Sequence, residues 1–118
     1  MLQRLNTRSE SPSENLLAGA IEMPTGTVTL KKGFAYKRGH VLGFIATEEK
    51  CTPVNKAKTD NSQLVYAIAA EDADATDSDV VAAIYMAGEF ISSQLIFEGG
   101  DTAADHQLSA RQVGIFFK

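Results

Sequence analysis

The chain has 118 residues, 44% of them hydrophobic, enough for one domain with a core of its own. Its net charge of −4 is unevenly spread: residues 1–59 hold nine of the eleven Lys and Arg against five acids, and residues 60–118 hold two against ten, which argues against a basic nucleic-acid binder. No stretch approaches the roughly eighteen consecutive apolar residues of a membrane-spanning helix, and the opening MLQRLNTRSESPSEN lacks the apolar centre of a signal peptide, so the chain reads as a soluble protein with no membrane partner, made in the cytoplasm.

Residues 1–15 are polar, with Pro12 among them and Leu2 and Leu5 as the large apolar residues after Met1, and they read as a flexible N-terminal arm. The pattern changes at Leu16, so the domain is expected over residues 16–118. A Pro-Thr-Gly turn at 24–26 leads into alternation, with Val28 and Leu30 on one face and Thr27 and Thr29 on the other, which predicts a half-buried strand. Gly33, Gly39 and Gly43 then punctuate short apolar and aromatic pieces. EEKCTPVNKAKTDNSQ is turn-rich and predicts a hairpin followed by a loop. LVYAIAA at 64–70 and VVAAIYMAGEF at 80–90 are apolar strand segments, separated by an acidic run that is expected to be a solvated turn. SQLIFE at 93–98 predicts a further strand.

One helix has local support. Thr102 followed by Asp105 fits a capping box, Asp101 and Asp105 suit the positive end of the helix dipole, and Ala104, Leu108 and the stem of Arg111 share a face. Gly114 should stop the helix, with IFF at 115–117 as a terminal strand. The fold class is therefore mainly β, a β-rich α+β domain of short strands resembling a small β-barrel or β-sandwich, with one C-terminal helix.

The acidic run places five carboxylates between Glu71 and Asp79 and invites a test as a calcium loop. Aligning Asp72, Asp74 and Thr76 with the first three ligand positions puts Asp77 where a glycine must turn and Ala83 where a bidentate glutamate must close the shell, so the pattern fails. Carboxylates spaced by Ala, Thr and Ser read instead as turn formers. His40 and His106 stand 66 positions apart without a partner at ligand spacing and read as structural or surface residues. Cys51 is the only cysteine, which excludes an internal disulfide, and it reads as a packed thiol. VNKAK at 54–58 invites a different comparison, since lipoyl and biotinyl carrier domains display a lysine at a hairpin tip. Pro53, Val54 and Asn55 precede Lys56 where those carriers have acids or methionine, which leaves a carrier modified at Lys56 as the alternative reading. No catalytic residue, metal site or cofactor is expected.

The order of four segments carries more information than any one residue. GTVTLKKG at 26–33, YKRGHVLG at 36–43, AIAAEDADA at 67–75 and AIYMAGEF at 83–90 are followed by a short strand and a helix before GIFF. This succession resembles the head decoration proteins of lambda-like tailed bacteriophages, the protein D family, over about residues 16–118. The resemblance implies a non-enzymatic capsid protein that forms homotrimers at local threefold positions on the outside of the expanded head. There it would bind the major capsid protein and stabilise the shell of the virion. It also implies that the arm becomes ordered on binding and adds main-chain pairing to the capsid, which makes Arg4, Leu5, Asn6, Thr7, Arg8, Leu16 and Leu17 the expected capsid-binding residues.

Overall fold

A computed structural model describes residues 24–118. In chain order these form β1 (Thr25–Leu30), β2 (Phe34–Tyr36), β3 (Val41–Ile45), β4 (Lys50–Pro53), β5 (Ala67–Ala69), β6 (Ala73–Ala75), β7 (Val80–Tyr85), β8 (Gly88–Phe90), a 3-10 turn (Ser92–Gln94), α1 (Ala103–Gln112) and β9 (Ile115–Phe117). Five of the strands close a barrel in the order β1-β4-β3-β5-β7, with β7 returning to β1. The longest ladder among the described residues is β1–β7, antiparallel from Thr25↔Tyr85 to Leu30↔Val80. The barrel closes between β1 and β4 through the parallel pair Leu30↔Cys51, reinforced by Lys31 N–H donating to the Cys51 carbonyl at 2.8 Å.

The alternation in β1 points Val28 and Leu30 into the barrel and leaves Thr25 and Thr27 exposed. In β3 and β5 both faces are buried. Leu42, Ala67 and Ala69 face the barrel interior with Leu30, Cys51, Ala82 and Ile84. Val41 and Ile68 face the other way, into a second cluster with Val54, Val65, Phe90, Ala110 and Ile115. This double burial is why the two segments read as apolar runs without alternation. The second cluster is covered by residues 88–118, in which β8 and β9 pair in parallel and α1 packs alongside.

Gly43 is required by a close approach. A Cβ placed there would lie 2.2 Å from the Ser62 carbonyl oxygen, because the loop after β4 crosses directly over β3. Gly114 is required by conformation: its φ of +83° ends α1 and turns the chain into β9.

Three expectations need correction. The acidic run is more than a turn, because it contains β6, which pairs antiparallel with β2 through Phe34↔Ala75, Ala35↔Asp74 and Tyr36↔Ala73. Its three-residue alternation, with Ala75 buried and Asp74 exposed, is too short to stand out against five carboxylates. SQLIFE is not a strand: it begins in the 3-10 turn and touches a strand edge only at the bridge His40↔Ile96. There β4 occupies the edge of β3 as far as the Val41 carbonyl, which accepts Val54 N–H, so only the Gly39 carbonyl and Val41 N–H remain for Ile96. Helix α1 carries the expected capping box, but the buried face holds His106 and Ala110, and Leu108 is 69% exposed. A polar contact made by His106, described below, orients the helix more strongly than its single leucine does.

Gly43→Ala should lower stability by about 3 kcal/mol, since the new methyl meets backbone that cannot move aside cheaply. The midpoint of urea unfolding relative to the wild type checks this.

Candidate functional site

The groups with intrinsic reactivity are buried and occupied. The Cys51 thiol has no exposed surface, and burial pushes its pKa up to about 12. Burial likewise raises the Tyr36 phenol, whose hydroxyl donates to the Lys31 carbonyl at 2.9 Å. His40 is 3% exposed; its Nδ1 accepts Lys37 N–H at 2.9 Å, which places the ring proton on Nε2, 2.7 Å from Glu98 Oε2. His106 Nε2 lies 2.7 Å from Asp101 Oδ2, with both side chains 2% exposed and the Phe97 ring stacked on the imidazole. The same Asp101 oxygen accepts Lys56 N–H at 2.8 Å. Burial alone would raise the Asp101 carboxyl, but these hydrogen bonds and the nearby cationic charge outweigh it and hold the group below its ordinary value. His40 thus fastens Glu98 to the barrel, while Asp101 joins His106 of α1 to the Lys56 N–H in the loop after β4.

Lys56 is not at a hairpin tip. The β3–β4 turn spans residues 46–49, whereas Lys56 follows β4 in the crossing loop, with its amine 3.3 Å from Asp105 Oδ2. A carrier lysine presented free at a tip has no counterpart in this arrangement.

The acidic run binds backbone. Asp72 Oδ1 accepts Arg38 N–H at 2.8 Å, Asp79 Oδ1 accepts Lys32 N–H at 2.8 Å, and Glu71 Oε2 accepts Ala83 N–H at 2.7 Å. Asp79 Oδ2 also pairs with Lys50 Nζ at 2.6 Å. Asp74 closes an Asx turn on Thr76 N–H and Oγ. Hydrogen bonds from Lys50 and Lys32 N–H hold Asp79 low, and those from Thr76 hold Asp74 low. These acids are therefore tied down rather than merely solvated. Among the described residues, no three His, Cys, Asp or Glu side chains come together as a metal site. The oppositely charged halves of the chain also interleave, since Lys50–Asp79, Lys56–Asp105 and His40–Glu98 all cross between them.

The expected capsid-binding residues Arg4, Leu5, Asn6, Thr7, Arg8, Leu16 and Leu17 lie outside the described residues. What is visible is where their segment meets the barrel. The Pro24 carbonyl accepts Met86 N–H at 2.9 Å, so the chain joins β1 beside the β7–β8 turn. That turn also approaches the end of α1, where a Cβ on Gly114 would contact Ala87 at 3.5 Å. Met86, Val113 and Phe116 are exposed apolar residues on these same elements. Sequence reasoning missed them as a group, because residues so far apart carry no shared signal.

The family model of bacteriophage lambda head decoration protein D matches residues 6–114. The chain belongs to this family. No curated protein matches the chain. Family membership makes the role a structural one at the phage head. The match starts at residue 6, ten residues ahead of the resemblance over about residues 16–118, so the family relation takes in most of the segment before the barrel.

Three outcomes follow from the buried groups. Cys51 should resist iodoacetamide in the native protein at neutral pH and be alkylated only after denaturation, as read by intact mass. Asp101→Ala should cost about 3 kcal/mol, because it strands His106 and the Lys56 N–H without an acceptor. Since the folded Asp101 carboxyl lies below its ordinary value, its stabilisation is complete above about pH 4 and fades as pH falls through the folded value. Thermal unfolding of Asp101→Asn should lack that share of the acid decline.

Proposed function

We propose that the chain decorates the outer surface of the expanded phage head, binding as homotrimers at the local threefold positions of the major capsid protein lattice and stabilising the shell. It would be made in the host bacterial cytoplasm and end in the virion. The observation that carries this reading is the family match over residues 6–114, which joins the segment before the barrel to the barrel itself. In this reading residues 1–15 are the capsid-binding arm, helped by Leu16 and Leu17, and residues 16–118 are the decorating domain.

The physical requirements of such a role are modest. A polar, Pro-containing arm is suited to adding a strand to the edge of a partner's sheet, where backbone hydrogen bonds supply affinity without a strong side-chain code. Ordering a free arm costs entropy, so each contact is weak, but many copies on one shell gain by avidity. Each copy that bridges capsid subunits favours the assembled state by mass action. The barrel contributes a rigid body at the root of the arm, because Pro24 and Thr25 are hydrogen-bonded or paired with the β7 end as soon as the described chain begins.

Purified protein mixed with expanded, undecorated shells of its own phage should saturate the threefold sites and raise the temperature at which the shells disrupt. Deleting residues 1–15 should leave the domain folded by circular dichroism and weaken shell binding by about tenfold or more. Unchanged affinity would show that the arm is not the anchor, and absence of binding by the full chain would overturn the reading.

A further inference from the structure

The ribbon formed by β2 and β6 lies outside the barrel order, yet its inward residues sit in the barrel core. Tyr36 is 1% exposed and Ala75 is fully buried, both in the cluster of Leu30, Leu42, Cys51, Ala69 and Ile84. At one end of the barrel the end of β1 lies beside the start of β7 (Leu30↔Val80) and the end of β5 beside the start of β3, where Gly39 N–H donates to the Ala69 carbonyl; the stagger of the barrel brings the start of β4 to the end of β1 as well (Leu30↔Cys51). The β1–β3 connection carries β2 and the β5–β7 connection carries β6, so both cross that end and pair over it. Most of the interior side chains are small, and Tyr36 is the largest group filling the space beneath the ribbon.

The roots of these two connections are joined by the acidic run. Asp72, just after β5, holds the N–H of Arg38, just before β3; Asp79, just before β7, holds the N–H of Lys32, just after β1. Asp79 also reaches Lys50 at the start of β4, and Glu71 reaches Ala83 in β7. We infer that the β2–β6 ribbon is a lid which the carboxylates of the acidic run latch over the barrel end, and that losing their charge opens it while the barrel stays folded.

The surroundings set the direction of the response. Asp79 faces Lys32 and Lys50, with the Lys31–Glu48 pair beyond them. Asp72 faces the Arg38 backbone, and the Arg38 guanidinium bonds to the Tyr85 hydroxyl. The His40–Glu98 contact borders Tyr36, β5 presents only Ala67 and Ala69 to the lid side, and Asp77 is an exposed member of the run. The folded Asp79 carboxyl, held by Lys50 and by Lys32 N–H, lies below its ordinary value, so its arm of the latch is complete above about pH 4 and weakens as pH falls through the folded value. This inference concerns the isolated chain and does not depend on head binding.

Amide hydrogen exchange measured by NMR on the full chain tests it. At about pH 7, Asp72→Asn combined with Asp79→Asn should speed exchange of Gly33 and the β2–β6 ladder about tenfold or more, and leave the β1–β7 ladder unchanged. Asp77→Asn, which removes one carboxylate of the run that makes no latch contact, should leave both ladders unchanged. Equal acceleration of the two ladders, no acceleration of the lid, or the same effect from Asp77→Asn would overturn the inference. If the double variant does not fold, the wild type titrated from about pH 7 to about pH 3 serves instead. Lid amides should lose protection at a higher pH than the β1–β7 ladder, and simultaneous loss would sink the idea.

Discussion

Strands β3 and β5 are buried on both faces, and the two hydrophobic clusters of the domain share them as a common wall. Alternate residues along them serve opposite sides, Leu42 and Ala67 the barrel and Val41 and Ile68 the C-terminal cover. Fully burying side chains of this size is worth about 1.5–3 kcal/mol each, so neither cluster can be loosened without exposing the back of the other. The constraint explains Gly43. A wall packed on both faces and crossed at van der Waals distance by the Ser62 loop has no room for a Cβ at that point.

A domain of this size has little core, and its polar groups are used to hold connections in place. His40 with Glu98 and the Lys56 N–H with Asp101 fasten the C-terminal cover; Asp72, Asp79 and Glu71 fasten the ribbon across the barrel end. In most of these contacts a carboxylate accepts from a backbone N–H or a buried imidazole, which is stronger and better defined than an exposed lysine pair. The exposed pairs Lys31–Glu48 and Lys118–Glu89 add little beside them. Charge that looked segregated along the sequence is thus largely consumed within the fold.

This arrangement suits a protein that acts by occupying a surface. The potential nucleophile Cys51 is sealed in the core and the imidazoles are committed to structural hydrogen bonds, while family membership places the molecule among phage head components. The N-terminal segment meets the rigid barrel beside Met86, so tension on it would be borne by the β1–β7 ladder, the longest among the described residues.

The sequence by itself determined the family, the strand-rich class, the alternation of β1, the capping box of Thr102 and Asp105, and the stop at Gly114. All are local or ordered along the chain, and local geometry depends on neighbours in sequence. Tertiary structure alone decided that the acidic run contains a strand and grips Lys32, Arg38 and Ala83, that SQLIFE bridges at one residue, and that α1 turns His106 inward instead of Leu108. The strand pairing and the grips depend on partners 12 to 47 residues away in the chain, the bridge on which edge of a strand another strand has already taken, and the turn of His106 on an Asp101 that the Lys56 N–H, 45 residues away, holds in place. A carboxylate facing water and one facing a distant backbone N–H have the same spacing in sequence, and only the closed barrel brings the donor to the acceptor.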